Sequence, residues 1–283
     1  MRSKLPLIPR RNILLIICIC SGLFTQCNKE PQIAMVNITD DAFLSALIDA
    51  GVDKDLDGQI CTCEAEFVTY LDVSGKEISD MTGIEDFIYL DTLICRDNSL
   101  SSLDLSGNPE LKFLDCTYNF LTNLNVSENS KLLILDCRIN ELSSLDVSNN
   151  PSLEYLWCGY NYLNVIDVSQ NTSLQGLECS FMFEQISNLD LSNITSLSWL
   201  YCENNLLTSL DVSNQSDLMD LEFGGNQLST LDLSNNPALS RLKLTQMPSL
   251  GEVCVWTTPF PPERLNLNIS ESPNIFFTTE CSK

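Results

Sequence analysis

Six cysteines fall at Cys95, Cys116, Cys137, Cys158, Cys179 and Cys202, and carboxylates sit directly before several of them, notably Asp115, Asp136 and Glu178. Thiols in a row could hold a soft metal or pair as disulfides, and two carboxylates flanking one substrate could hydrolyse a glycosidic bond. The chain has no histidine, so the usual general base near neutral pH is missing and acid–base work would fall to carboxylates or thiols. Asp115 and Asp136 would face one another if their segments were neighbouring strands. Acids repeated at a regular interval are more often solvated surface than catalytic pairs, so the expectation is a binding protein rather than an enzyme.

What positions these residues is a period. The six cysteines are separated by 21, 21, 21, 21 and 23 residues, and units starting at Leu90, Leu111, Leu132, Leu153, Leu174, Leu197 and Leu218 each run close to L-x-x-L-x-C-x-x-N-x-L-x-x-L-D-V-S-x-N. A fixed period of this size marks a repeat architecture. The pattern resembles the leucine-rich repeat, with cysteine in place of the third consensus leucine and Phe223 at that place in the last full unit. It covers Leu90 to Ala238, with truncated units at Val68 to Tyr89 and from Leu239 to about Trp256. The resemblance implies a leucine-rich-repeat solenoid, mostly β with one parallel strand per coil and little helix, wound as a right-handed superhelix.

Side chains alternate along a strand, so Leu132, Leu135 and Cys137 should point into the coil while Ile134 and Asp136 point out. Leu142, Leu145 and Val147 should close the coil from the far side. One coil cannot bury that set alone, so neighbours stack and share a core. Asn98, Asn119, Asn140, Asn161, Asn205 and Asn226 fall at the turn, where a buried amide can pair backbone groups left over as the strand bends away. The cysteines, facing inward at equivalent positions, read as small core hydrophobes rather than a metal or redox stack. The Asp-Val-Ser and Asp-Leu-Ser segments at Asp104, Asp146, Asp167, Asp190, Asp211 and Asp232 read as turns bonding their own backbone rather than a row of cation ligands.

Outward positions form columns. One reads Ile94, Asp115, Asp136, Trp157, Glu178, Tyr201 and Glu222; another reads Thr92, Phe113, Ile134, Tyr155, Gly176, Trp199 and Asp220. Tyr118, Ile139, Tyr160 and Phe181 lie just beyond the strands. Contiguous exposed aromatics mark binding surfaces, and Trp and Tyr dominate binding hot spots. The candidate concave site is therefore Phe113, Asp115, Tyr118, Asp136, Tyr155, Trp157, Tyr160, Glu178, Phe181, Trp199 and Tyr201. The ligand is a protein or, since aromatics beside carboxylates suit sugar rings, a glycan. The fifth unit carries Ser180 to Gln185, longer by two and without the ladder asparagine. That is either a tolerated loop insertion or a bulge presenting two aromatics.

Terminal coils need caps. Upstream, Thr39-Asp40-Asp41 starts a helix whose Phe43, Leu44, Leu47 and Ile48 recur on one face. The segment Asp53 to Glu64 then matches the EF-hand calcium loop at its first, third, fifth, sixth, eighth and twelfth positions. That resemblance implies calcium held by Asp53, Asp55, Asp57, the Gln59 carbonyl and Glu64, with Gly58 at the sharp turn, in a structural role. Cys61 and Cys63 lie too close for an unstrained disulfide and read as free thiols or as partners of a cysteine elsewhere. Downstream, Cys254 and Cys281 bracket the tail of a chain read as exported, which suggests that they pair, for about 3 kcal/mol of stabilisation.

Arg2, Lys4, Arg10 and Arg11 precede an apolar run from Ile13 to Phe24, as in an export signal. Leu23 to Cys27 resembles a bacterial lipobox, with Gln26 where a small residue is usual, so Cys27 is the expected lipidation site. The formal charge of -23 argues against nucleic acid and against anionic membranes, leaving an N-terminal lipid as the membrane contact. The expected divisions are a signal peptide at 1–26, a linker at 27–38, a cap with a degenerate first repeat at 39–89, repeats at 90–249 and a disulfide-closed β cap at 250–283. The acidic loop, the cysteine-bearing repeats and the aromatic-proline tail together resemble exported Bacteroidetes repeat proteins and, more loosely, internalin-type adhesion proteins. That implies an adhesion module, lipid-anchored at the outer membrane or cell surface.

Overall fold

The structure, a computed structural model, describes residues 34–281. The export segment and Cys27 lie outside those residues. Helix α1 (Asp41–Asp49) comes first, then the short helix α2 (Thr62–Ala65). The strands follow in chain order as β1 (Tyr70–Asp72), β2 (Thr92–Ile94), β3 (Phe113–Asp115), β4 (Ile134–Asp136), β5 (Tyr155–Trp157), β6 (Gly176–Glu178), β7 (Trp199–Tyr201), β8 (Asp220–Glu222), β9 (Thr230–Asp232), β10 (Arg241–Lys243), β11 (Glu252–Cys254), β12 (Asn266–Asn268) and β13 (Phe276–Thr278).

Ten of these strands form one parallel sheet in the order β1-β2-β3-β4-β5-β6-β7-β8-β10-β12. The register sets one coil's central leucine opposite the next, as in Leu114 to Leu135 to Leu156. Each is fully buried, as are Cys95, Cys116, Cys137, Cys158, Cys179 and Cys202. All six ladder cysteines are free thiols, and burial pushes their ionisation well above the usual thiol range. They fill space in the core. Burying each leucine contributes roughly 1.5–3 kcal/mol, and that gain exists only once neighbouring coils are stacked.

The chain leaves each strand through a left-handed residue. Tyr118, Ile139, Tyr160 and Phe181 have φ of 56°, 55°, 57° and 57°, a region uncommon for bulky side chains. The ladder asparagine holds the bend one residue later. Asn140 Nδ2 donates to the carbonyls of Cys116 (3.0 Å) and Cys137 (3.1 Å), and its Oδ1 accepts from Leu121 N at 3.0 Å. The same three bonds recur at Asn119 and Asn161. In the fifth unit Met182 takes the asparagine's place and is buried instead.

A second amide ladder runs along the other turn and was not anticipated from the sequence. Asn129, Asn150 and Asn171 each donate to two carbonyls of preceding coils, as in Asn150 Nδ2 to Val126 O (3.0 Å) and Asn129 O (2.9 Å). Gln215 and Asn236 continue it after Ile194 interrupts. The Asp-x-Ser turns close on themselves: Asp146, Asp167 and Asp190 each accept from the serine amide two residues on at 2.9 Å.

At the N-terminal end, Asp40 caps α1 by accepting from Phe43 N at 2.9 Å. Its other oxygen accepts from Ser79 N, Ser79 Oγ and Asp80 N, tying the helix to the first coil. Partial burial by itself would raise this carboxyl, but those hydrogen bonds outweigh it and hold the group down at about 2. Cys61 and Cys63 form a disulfide with each other, contrary to the expectation that they are free thiols or pair with a cysteine elsewhere. Cys61 is extended at the N-cap of α2 while Cys63 is already helical, which sets their Cα atoms 5.1 Å apart, inside the ordinary span of a bridge.

At the other end the Cys254–Cys281 disulfide forms as expected. The main sheet also runs on past residue 249, because β12 pairs with β10. Across the coil, β11 pairs with β9 and β13 to make a second parallel sheet of three strands.

Candidate functional site

Eleven residues were expected to line one surface, and the structure divides them between the sheet and its edge. On the sheet, register places Tyr155 opposite Gly176, Trp157 opposite Glu178, Gly176 opposite Trp199 and Glu178 opposite Tyr201. Gly176 is the hinge of this arrangement. With no side chain there, the Trp199 ring lies across β6 and stacks on Trp157 (centroids 5.4 Å) and on Tyr155 (6.1 Å). Tyr155 stacks on Trp157 at 5.8 Å, and Tyr201 leans on Trp199 at 5.1 Å. All four rings are half-buried.

Charges surround this cluster. The Glu178 carboxylate sits over Gly159, accepting from Gly159 N at 3.1 Å and Ser180 N at 3.0 Å. Burial raises its ionisation above the ordinary carboxylate range, partly offset by those two amides. Asp136 is paired with Arg138 (Nε–Oδ1 2.8 Å), whose guanidinium lies 6.0 Å from the Trp157 ring centroid. Tyr201 Oη donates to Asp220 at 2.8 Å and accepts from Arg241 Nη2 at 2.6 Å. Desolvation and the neighbouring Asp220 push the Tyr201 hydroxyl up to about 12. Asp115 stands opposite Asp136 in the register, but it is buried and accepts from Thr117 N, so the two do not form an open carboxylate pair.

Tyr118, Tyr160 and Phe181 belong to the edge. Their left-handed backbone aims them away from the sheet, and Tyr160 stacks on Phe181 with centroids 4.9 Å apart. Three further exposed aromatics join them: Phe120 and Tyr162, which the sequence reading missed, and Phe183, the second aromatic of the fifth unit's longer segment. Tyr162 stacks on Phe183 at 4.8 Å. The signal was present, since each lies four residues after a ladder cysteine. Phe113, also in the candidate set, sits half-buried on β3 outside the ring stack.

In the acidic loop, carboxylate oxygens of Asp53, Asp55 and Asp57 lie within 4.8 Å of one another. Asp53 accepts from Leu56 N (2.7 Å) and Gly58 N (3.0 Å), Asp55 from Asp57 N and Asp57 from Gln59 N. Gly58, at φ 81°, makes the sharp turn. Glu64 stands apart from the trio, its two oxygens accepting from Lys54 N and Cys61 N. Three hard oxygen donors gathered on a tight turn fit calcium in kind.

Stacked parallel coils, an inward leucine and cysteine file and an asparagine ladder define a class: the chain is a leucine-rich-repeat protein. No protein-family model and no curated protein matches its sequence. Among solved structures it is similar to the functional domain of InlJ from Listeria monocytogenes, which includes a cysteine ladder, at 32% identity and a TM-score of 0.66 over 80% of this chain and 57% of that one. The chain thus spans little more than half of that domain. It is similar in fold to internalin C2 from the same organism (19% identity, TM-score 0.61, 72% of this chain and 92% of that one). It also resembles a leucine-rich-repeat protein of Leptospira interrogans (22% identity, TM-score 0.57, 71% and 53%). Among the described residues no helix is long and apolar enough to cross a membrane.

Proposed function

We propose that this chain is an exported adhesion or interaction module that captures a protein partner on the outward face of its ten-stranded sheet. The observation that carries this reading is the stacked cluster of Tyr155, Trp157, Trp199 and Tyr201, four large rings held half-open to solvent with Glu178 and Asp220 at their margins. Rings locked against each other present contact area at little entropic cost, the character of a binding hot spot. Solenoids use such extended faces for recognition. Removing both indoles by Trp157→Ala with Trp199→Ala tests the assignment; undiminished capture would move the site elsewhere.

A glycan is the second reading, favoured by aromatic faces lying next to carboxylates that could accept from sugar hydroxyls. A glycan array with the mature protein separates the two. In the same reading, the basic and apolar N-terminal segment directs export, and lipid on Cys27 anchors the protein at the outer membrane or cell surface. Calcium on Asp53, Asp55 and Asp57 would neutralise three clustered charges and stiffen the turn between α1 and the first coil. Titration calorimetry with calcium tests it: no heat at millimolar calcium, or equal binding by Asp55→Ala, removes that part of the proposal.

A further inference from the structure

The edge aromatics form a ladder with one rung missing. Tyr118, Ile139, Tyr160 and Phe181 occupy the same left-handed position on four successive coils, at φ between 55° and 57°, so their side chains leave the backbone in the same direction. Phe120, Glu141, Tyr162 and Phe183 occupy the position two residues later. Where both coils carry rings, the rings stack at 4.9 Å and 4.8 Å. The coil of Ile139 and Glu141 carries none. Its neighbours therefore present facing aromatic walls, Tyr118 with Phe120 on one side and Tyr160 with Tyr162 on the other, two coils apart or roughly 10 Å at about 4.8 Å per strand. That gap admits one planar group, stacked on each side at the spacing the existing rungs already use. The groove encloses about 570 Å³.

Its polar lining says what the planar group is. The amides of Asn119 and Asn140 border the groove, but both are spent on the ladder, with Oδ1 and Nδ2 all engaged by backbone. They have nothing left to donate to a ligand. The charged group at the groove is Glu141, exposed and without an ion-pair partner among the described residues. Arg138, the nearest guanidinium in sequence, is turned to Asp136 and does not answer it. Two ring faces and one carboxylate suit a flat cation with donors on its edge.

We propose that this slot receives an arginine side chain of the protein partner, its guanidinium stacked between Phe120 and Tyr162 and donating to Glu141. Guanidinium is planar, stacks on aromatic faces and fits a carboxylate with two donors, whereas an ammonium is a point charge that cannot fill both walls. The chain's formal charge of -23 favours the approach of a basic segment. The proposal rests on the reading of this chain as a protein-binding module and gives the partner its chemistry.

The test is titration of the mature protein with the capped tripeptide acetyl-Gly-Arg-Gly-amide, followed by tyrosine ring signals in NMR, against the same peptide carrying citrulline, which is planar but neutral. The arginine peptide should bind about tenfold or more tightly than the citrulline peptide. Glu141→Gln should reduce that preference. Glu141→Phe, which writes a ring at the position between Phe120 and Tyr162, should close the slot and abolish binding of both peptides, while Phe120→Ser, at an exposed position, should weaken it without touching the core. Trp157→Ala with Trp199→Ala should leave peptide binding unchanged. Equal binding of arginine and citrulline peptides, no binding of either, or unaltered binding by Glu141→Phe would overturn the assignment. If the double tryptophan variant loses partner capture while the slot variants bind peptide as wild type, the slot falls and the sheet-face reading stands.

Discussion

Trp199 lies where a side chain at Gly176 would be: a Cβ built on Gly176 would meet Trp199 Cε2 and Cζ2 at 2.0 Å. A glycine on one strand thus decides the pose of an indole on the next, and through it the stack with Trp157 and Tyr155. Gly176→Ala should leave the solenoid folded, since that backbone is not left-handed, while expelling the indole. The expected outcome is unchanged far-UV circular dichroism, loss of the near-UV signal from coupled indoles and a stability cost of about 1–3 kcal/mol. An unaltered near-UV spectrum would show that the indole does not depend on the missing side chain.

Asp40 links α1 to the first coil through one carboxylate. Its ionisation is lowered in the folded state, so it stabilises the fold above the unfolded value near 4 and that contribution is lost as pH falls towards about 2. Chemical denaturation at several pH values should show stability decreasing through that window. Asp40→Ala should cost about 1–2 kcal/mol at neutral pH, as the loss of a helix cap does, and should flatten the acid slope. A slope that persists unchanged in the variant would assign it to other carboxylates.

The ladder asparagines carry buried backbone pairing. Asn140→Ala would strand the amide of Leu121, while the carbonyls of Cys116 and Cys137 would each keep one partner, Asn119 Nδ2 and Asn161 Nδ2. Leaving such a group unpaired costs about 1–3 kcal/mol, so the variant should lose about that much in denaturant titration. A loss under about 1 kcal/mol would mean that water replaces the amide.

The six ladder thiols should be inert in the native protein. They are fully buried and held protonated by desolvation. A thiol reagent should modify none of these six before unfolding and all of them after. Rapid native labelling of any would contradict a static core. Cys137→Ser should destabilise by replacing an apolar thiol in the core with a hydroxyl that is costlier to desolvate.

Much of this was written in the sequence because a repeat states each rule several times. The leucines, the cysteines and Asn98 to Asn226 each name their own place, since in-register stacking leaves one geometry for all copies. The second ladder at Asn108, Asn129, Asn150 and Asn171 was visible as the last letter of the pattern, but its role depends on which carbonyls the preceding coil leaves free. The coil through β12 was hidden because Asn266 and Asn268 flank a single leucine and carry no repeat signature. The Cys61–Cys63 bridge turned on the backbone changing from extended to helical between them. The site was the least legible part. Glu178 over Gly159 and Trp199 over Gly176 are relations between coils, and a column read one position at a time shows the glycine only as an absence.

The central claim is that the sheet face bearing Tyr155, Trp157, Trp199 and Tyr201 captures the ligand. The most direct measurement compares wild type with Trp157→Ala combined with Trp199→Ala, both immobilised in the same orientation, for capture of one partner identified with the wild type. Losing two hot-spot indoles should weaken binding by at least about a hundredfold, about 2.8 kcal/mol or more, with the far-UV spectrum and ladder thiols unchanged. Equal affinity in a folded double variant would contradict the account.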